Sequence, residues 1–149
     1  AYLKSQMAAG QLIPKSGSIF VSVKDADKPK LLPIAKLIQQ MGFTILATKG
    51  TCDFLNMNGV FSQFIYKVNE GRPNVLDALK NNDIQMVINT PLNGESRFDD
   101  KVIRQESYKL NVPVITTLAG AKSTIEAMSE ELHQSLTVCS LQSYYEHIS

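Results

Sequence analysis

The sequence predicts an α/β fold, namely a doubly wound, open, parallel five-stranded sheet with helices on both faces. Short apolar runs alternate with amphipathic stretches along the chain, which is typical of βαβ units. Polar residues follow each apolar run, as expected at the carboxyl ends of parallel strands. The length of 149 residues suits one domain. We divide it into a lead-in segment, residues 1–16, and a folded domain, residues 17–149.

The first half of the chain contains two strands and two helices. Residues 19–23 and 43–47 are rich in β-forming side chains and predict the first and second strands. Between them, one helix face carries a regular apolar stripe, made of Leu31, Ile34, Ala35, Ile38 and Met41. Gly42 follows as the residue that ends this helix, and Pro33 is expected in or near its first turn. A second helix is predicted to begin at Thr51.

The second half continues the alternation. Strands are predicted at residues 61–68, 84–88 and 112–116, and helices at residues 73–79 and 97–110. Pro73 is placed near the first helical position of the shorter helix. A further apolar stripe predicts another helix, with Leu118, Ala121, Ile125, Met128 and Leu132 on one face. For residues 136–148 we predict a short strand followed by a helix.

The composition excludes several classes of function. Fifteen basic residues against 14 acidic ones leave no strong field to attract nucleic acid or a membrane surface. No apolar run approaches the roughly 20 residues that a membrane helix needs. Cys52 and Cys139 are far apart, and with two histidines they do not make a zinc site. We expect both cysteines to be structural thiols and the protein to be cytoplasmic.

Polar residues that suit a phosphate group follow each predicted strand. Because the carboxyl ends of parallel strands share one edge of the sheet, we expect these residues to converge there. A lone turn, helix cap or solvated lysine would explain any one of them, but their convergence favours an anion site. The segments are Ser22 with residues 24–28, residues 48–51, Lys67 with residues 69–73, Asn89 with Thr90, and Thr116 with Thr117.

The residue types in these segments indicate how a phosphate would bind. Gly50 permits a tight turn and a close approach of the backbone. Thr51 would place a hydroxyl beside the free N–H groups of a helix N-terminus. Lys28 and Lys67 would supply charge, and Arg72 a bidentate fork.

No catalytic machinery is predicted. The sequence lacks a Walker motif and a glycine-rich dinucleotide fingerprint. Both histidines, His133 and His147, lie near the C-terminus rather than in a loop after a strand. Asp25, Asp27, Asp99 and Asp100 could act as general bases, but the role that we expect of them is to cap helices or face solvent.

The ordered set of motifs resembles a known family. They run Ser22-Val23-Lys24-Asp25-x-Asp27-Lys28, Ala47-Thr48-x-Gly50-Thr51, Lys67-Val68-x-Glu70-Gly71-Arg72-Pro73, Val87-Ile88-Asn89-Thr90 and Thr116-Thr117-Leu118. In this order they resemble the C-terminal allosteric domain of the carbamoyl-phosphate synthetase large chain, which has the methylglyoxal-synthase-like fold. The resemblance covers nearly all residues, and the lead-in resembles the segment that joins this domain to the preceding synthetase half.

The resemblance implies a regulatory role without catalysis. The implied effector is a nucleotide monophosphate, UMP or IMP, bound by Ser22, Lys28, Thr48, Gly50, Thr51, Lys67, Asn89 and Thr90, with Arg72 and Thr117 as additional candidates. No metal or cofactor is expected in this domain, because ATP and Mg²⁺ or Mn²⁺ belong to the rest of the large chain. The implied partners are that remainder and the small glutaminase chain, which together make carbamoyl phosphate for pyrimidine and arginine biosynthesis.

Four departures from relatives bear on the effector. Asn69 stands where some relatives carry histidine, and Pro91 replaces a threonine. Val114 replaces a tyrosine of ornithine-activated relatives, although Thr117 matches, which argues against ornithine. The chain has no tryptophan, unlike relatives activated by N-acetylglutamate, and this favours a nucleotide.

Three alternatives remain at this point. Methylglyoxal synthase, a lyase acting on a triose phosphate, shares the fold, but it would need histidine and aspartate at the strand ends. Its Gly-Pro-Leu-Gly-Gly-Asp-like loop is replaced here by residues 68–72. The inosine-monophosphate cyclohydrolase domain has a similar start but lacks the Glu70-Gly71-Arg72-Pro73 motif in this form. A pure assembly module would leave the strand-end cluster unexplained.

Overall fold

The computed structural model describes residues 17–68, 71–90 and 96–148, with residues 96–99 and 134–148 described as backbone. The lead-in and the departures at Asn69 and Pro91 lie outside the described residues. Five parallel strands form one sheet in the order β3-β2-β1-β4-β5. They are β1 Ser18–Ser22, β2 Thr44–Ala47, β3 Gln63–Phe64, β4 Met86–Asn89 and β5 Val114–Ile115.

Five helices connect and follow these strands. A 3-10 turn, Asp25–Asp27, leads into α1, and the helices are α1 Lys28–Gln40, α2 Lys49–Met57, α3 Val75–Lys80, α4 Ser96–Lys109 and α5 Leu118–Ile148. The chain moves outward from β1 to β3 and then returns to β4 on the other side of β1. None of the helices in the described ranges is both long and apolar enough to cross a membrane.

The two faces of the sheet bury two separate apolar cores. Alternate residues of a strand point to opposite faces, so Ile19 and Val21 of β1 pack on one side and Phe20 on the other. The first core is covered by α1, α2 and α5, and the second by α3 and α4. The predicted fold class, a parallel five-stranded sheet with helices on both faces, is confirmed.

The two outer strands are shorter than the sequence predicted. The third strand, expected over residues 61–68, is limited to Gln63–Phe64, with one isolated bridge from Tyr66 to Asn74. Its partner β2 ends at Ala47, where the chain turns into α2, so residues beyond Phe64 have no strand beside them. The fifth strand, expected over residues 112–116, pairs with β4 only at Val114 and Ile115.

Pro33 was predicted in or near the first turn of its helix, and it lies in the second turn. Helix α1 begins at Lys28, so Pro33 is its sixth residue. A proline there removes the hydrogen bond to the carbonyl group of Pro29. Both prolines are exposed, and water can therefore solvate that carbonyl oxygen. The end of α1 is as predicted, because Met41 is the C-cap and Gly42 follows with a φ of 89°.

The prediction of a strand after residue 136 is wrong. Helix α5 continues without interruption from Leu118 to Ile148. After Gly120 the sequence contains no glycine or proline that would end a helix. Thr137 and Val138 have β-propensity, but each lowers helix stability by only a few tenths of a kcal/mol, about 0.7 at most.

We expect Ile38→Ala to lower the free energy of unfolding by about 2–5 kcal/mol, because Ile38 is fully buried and its loss leaves a cavity in the first core. Urea denaturation of the full chain measures this change. The neighbouring exposed residue provides the control, since Gln39→Ala should change the same quantity by less than about 0.5 kcal/mol. Equal effects of the two substitutions would contradict the assigned orientation of α1.

Candidate functional site

The carboxyl end of β1 is the centre of the candidate site. The strand order reverses between β1 and β4, and in open α/β sheets the crevice at this point binds ligands. Ser22, the last residue of β1, is paired in register with Asn89, the last residue of β4. Their side chains therefore lie on the same face of the sheet, next to each other at its carboxyl edge.

Threonine residues that follow the neighbouring strands form hydrogen bonds with residues 22–24, at the end of β1. The Thr48 hydroxyl donates to Ser22 Oγ at 3.4 Å, and the Val23 N–H donates to Thr51 Oγ1 at 3.5 Å. Thr90 contacts the same chain twice: its N–H donates to the Ser22 carbonyl oxygen at 3.1 Å, and its Oγ1 accepts from the Lys24 N–H at 3.1 Å. Ser22, Thr48, Thr51 and Thr90 are all buried. These contacts hold three strand ends in a fixed arrangement.

Helix α2 begins at this edge with an N-terminus that its own N-cap side chain does not satisfy. The helix starts at Lys49 with Thr48 as N-cap, two residues earlier than the predicted start at Thr51. Thr48 makes no side-chain capping bond, because its hydroxyl is directed to Ser22. The first N–H groups of a helix carry partial positive charge and need acceptors. Because Lys49 and Gly50 are exposed, this N-terminus is open to an anion.

Gly50 makes room for the ammonium group of Lys28. It lies within α2 without a positive φ, so the tight turn expected from the sequence is not the reason for a glycine here. A Cβ atom at residue 50 would lie 2.9 Å from Lys28 Nζ. The side chain of Lys28, at the first position of α1, thus covers the first turn of α2. Two positive groups, an ammonium and a helix N-terminus, face the same space.

Asp25 is the partner of this ammonium group in the structure. Lys28 Nζ donates a hydrogen bond to Asp25 Oδ1, three residues earlier in the 3-10 turn. The Lys28 side chain is 17% exposed and that of Asp25 is 94% exposed. The hydrogen bond and the charge of Lys28 hold the pKa of Asp25 below its ordinary value. The carboxylate therefore stands on the solvent side of the ammonium group.

The side chain of Asn89 is buried without partners. The residue is 1% exposed, and neither its amide nitrogen nor its amide oxygen has a hydrogen-bond partner in the described part of the chain. A buried polar group left in this state is destabilising by about 1–3 kcal/mol. Such orphaned groups call for an explanation, and a ligand at the carboxyl edge supplies one.

Seven of the residues predicted from the sequence come together at this edge: Ser22, Lys28, Thr48, Gly50, Thr51, Asn89 and Thr90. Lys67 lies three residues beyond the edge strand β3 and is half-buried. Thr117 acts as a cap for α5, because its Oγ1 accepts from the Gly120 N–H at 3.0 Å.

Arg72 has a different environment from the phosphate fork expected of it. Its Nη2 donates to Asp77 Oδ1 at 3.1 Å, beside the first turn of α3. There Asn74 and Asp77 form a capping box, in which each side chain accepts from the backbone N–H of the other. Asn74 is the N-cap, so the helix begins at Val75, two residues later than predicted, and Pro73 precedes it. Arg72 thus supports a helix cap.

One of the acidic residues differs from the expectation of capping or solvent exposure. Asp25 is exposed as expected, and it also forms the ion pair with Lys28, a contact that the spacing of three residues could have indicated. Asp100, in α4, is buried, being 3% exposed. Within the part of the chain that the structure describes, no three histidine, cysteine or acidic side chains are arranged to hold a metal ion.

Comparison with known proteins agrees with this fold. Residues 30–116 match the family model described as "MGS-like domain". The carbamoyl phosphate synthase large chain of Pasteurella multocida is 46% identical over 99% of this chain, and the match covers 14% of that relative. The large chain, C-terminal section, of Methanopyrus kandleri is 42% identical over 93% of this chain and 26% of that relative. These relatives confirm the resemblance stated from the sequence.

The chain spans about a seventh to a quarter of the length of these relatives. Among solved structures, methylglyoxal synthase from Elizabethkingia anophelis superposes with a TM-score of 0.57 at 17% identity. The match covers 76% of this chain and 79% of that one. At this identity the comparison supports the fold alone.

We expect Arg72→Met to raise the pKa of Asp77 towards its ordinary value, because the hydrogen bond from Arg72 is the main cause that holds that pKa low, followed by the Asn74 N–H. A group with a lowered folded-state pKa stabilises the fold above its unfolded pKa, about 3.9, and this stabilisation is lost as pH falls through the folded value. The variant should therefore lose less stability on acidification. NMR titration of the Asp77 carboxyl group tests this.

Lys36→Met is the control for this titration, because Lys36 lies on α1 at the opposite face of the sheet and should leave the pKa of Asp77 unchanged. An unchanged pKa of Asp77 in Arg72→Met would contradict the assigned ion pair.

Proposed function

The chain belongs to the MGS-like domain family, and from this premise we propose that it is the C-terminal allosteric domain of a carbamoyl-phosphate synthase large chain, which binds a nucleotide monophosphate such as UMP or IMP. One observation carries the proposal: the ammonium group of Lys28 lies over the uncapped N-terminus of α2, and the orphaned amide of Asn89 belongs to the same edge of the sheet, in register with Ser22. Together these groups are suited to a phosphate ester.

The phosphate would bind between Lys28 and the first turn of α2. Helix N-termini bind anions through their free N–H groups and their partial positive charge. Lys28 adds a full charge, and hydrogen bonds to charged groups contribute about 1.5–3 kcal/mol each. The buried hydroxyl groups of Ser22, Thr48 and Thr51 lie at the same edge and hold the strand ends in place there.

The nucleoside would extend towards β4. Asn89 offers two N–H donors and one carbonyl acceptor, and a ribose hydroxyl both donates and accepts. Thr90, next to it, already contacts the chain that leaves β1. Lys67, which lies beyond β3, would approach the ligand from the other side.

The proposed role is regulatory, without a chemical step in this domain. The cluster consists of hydroxyl groups, an amide and a lysine, and the described residues place no histidine beside them. An effector would act by binding more tightly to one conformational state of the large chain than to another. The remainder of that chain would hold ATP and its metal ion, and the small chain would supply nitrogen from glutamine in the cytoplasm.

Calorimetric titration of the chain with UMP, IMP, ornithine and N-acetylglutamate tests the proposal. We expect saturable binding of a nucleotide, weakened by added inorganic phosphate. Lys28→Met should reduce the affinity about 10- to 150-fold, because it removes a charge-assisted hydrogen bond. The control is Lys36→Met, an exposed lysine on α1. Absence of nucleotide binding, or equal affinity of the two variants, would contradict the proposal.

Gly50→Ala tests the contact between α2 and Lys28. The added methyl group would lie 2.9 Å from Lys28 Nζ, so the flexible lysine must move away while the helix remains intact. We expect weaker nucleotide binding with a nearly unchanged midpoint of thermal unfolding. In combination with Lys28→Met the substitution should add little further loss, since both changes act on the same contact. Fully additive losses would show that the methyl group blocks the ligand directly.

A further inference from the structure

We infer that Asp25 is an internal counter-ion that competes with the phosphate of the ligand for the ammonium group of Lys28. The inference rests on the proposed function and deepens it, because it identifies a residue that sets the affinity of the site without being a ligand-binding group. The ion pair between Asp25 and Lys28 is its starting point.

The short separation of Asp25 and Lys28 in the sequence makes this competition direct. Asp25 and Lys28 are separated by a single 3-10 turn, so their side chains meet in front of α2. Lys28 is held over Gly50 and is largely covered, whereas Asp25 is almost fully exposed. A ligand that arrives from solvent therefore meets the carboxylate before it reaches the ammonium group.

The Asp25 carboxylate and a bound phosphate compete for the ammonium group of Lys28. The carboxylate neutralises the ammonium group, which otherwise faces the positive end of α2. A bound phosphate takes over this role, and the carboxylate is then a negative charge beside a dianion. Because an exposed ion pair in water is weak, the phosphate can displace it, but part of the binding free energy is lost.

The exchange lowers the affinity of the site for an anion. A doubly charged phosphate monoester gains more from Lys28 and the α2 N-terminus than a single carboxylate does, so it replaces Asp25. The displaced carboxylate then repels the phosphate, and Asp25 therefore weakens its binding.

Titration of Asp25→Asn with UMP, IMP and inorganic phosphate tests the inference. At low ionic strength the variant should bind its nucleotide and phosphate about three- to tenfold more tightly than the parent, the size expected for one charge removed near a dianion in water. Uridine and inosine, which lack the phosphate, should bind the variant and the parent equally.

Asp27→Asn is the matched control. Asp27 belongs to the same turn and carries the same charge, but it lines a groove between α1 and α5 and is not bonded to Lys28. Its substitution should change the phosphate affinity by less than about twofold, because only the general repulsion at longer range is removed. Equal gains in the two variants would overturn the specific role of Asp25.

A double variant separates competition for Lys28 from simple repulsion of the phosphate. If Asp25 acts through Lys28, Asp25→Asn should bring little gain in a Lys28→Met background. If the parent binds nucleotide and Asp25→Asn binds it equally or more weakly, the result contradicts this inference and leaves the proposed function intact. If neither the parent nor Asp25→Asn binds any nucleotide or phosphate, both this inference and the proposed function are contradicted.

Discussion

The site depends on the hydrogen bonds made to the backbone of residues 22–24, where the central strand ends. Ser22, Val23 and Lys24 each bond to a threonine from a neighbouring strand end or helix start. Because β1 has β2 on one side and β4 on the other, these bonds connect three strands at one point. The position of the helix α2 N-terminus relative to Asn89 is a consequence of them. A change in this short segment would alter every contact that the ligand is proposed to make.

Much of this edge was predictable from the sequence, for a simple physical reason. Apolar runs identify buried parallel strands, and the polar residues that follow must lie at their carboxyl ends. Ser22, Thr48 and Asn89 could thus be placed together without a structure. The position of Lys28 over Gly50 could not, because it depends on the packing of α1 beside α2. Arg72 was an additional candidate for the ligand, because the composition does not reveal that its side chain donates a hydrogen bond to Asp77, a member of the capping box.

The limits of the elements were less predictable than their order. The length of an edge strand depends on its partner, and β3 ends because β2 has already turned into a helix. Helix α5 continues through Thr137 and Val138, where local propensity suggested a strand, because nothing in that sequence stops a helix. Pro33 is tolerated inside α1 because it lies on the exposed side. Only for β3 did tertiary context outweigh a preference of the local sequence.

The hydroxyl of Thr48 has one further consequence. Because it is directed to Ser22, the helix that it precedes lacks the side-chain acceptor that most helices have at this position. In the proposed function, a bound phosphate would supply this acceptor to the first N–H groups of α2. Ligand binding and the local order of the first turn of α2 would then be coupled. The domain would report the concentration of a metabolite through the integrity of a helix end.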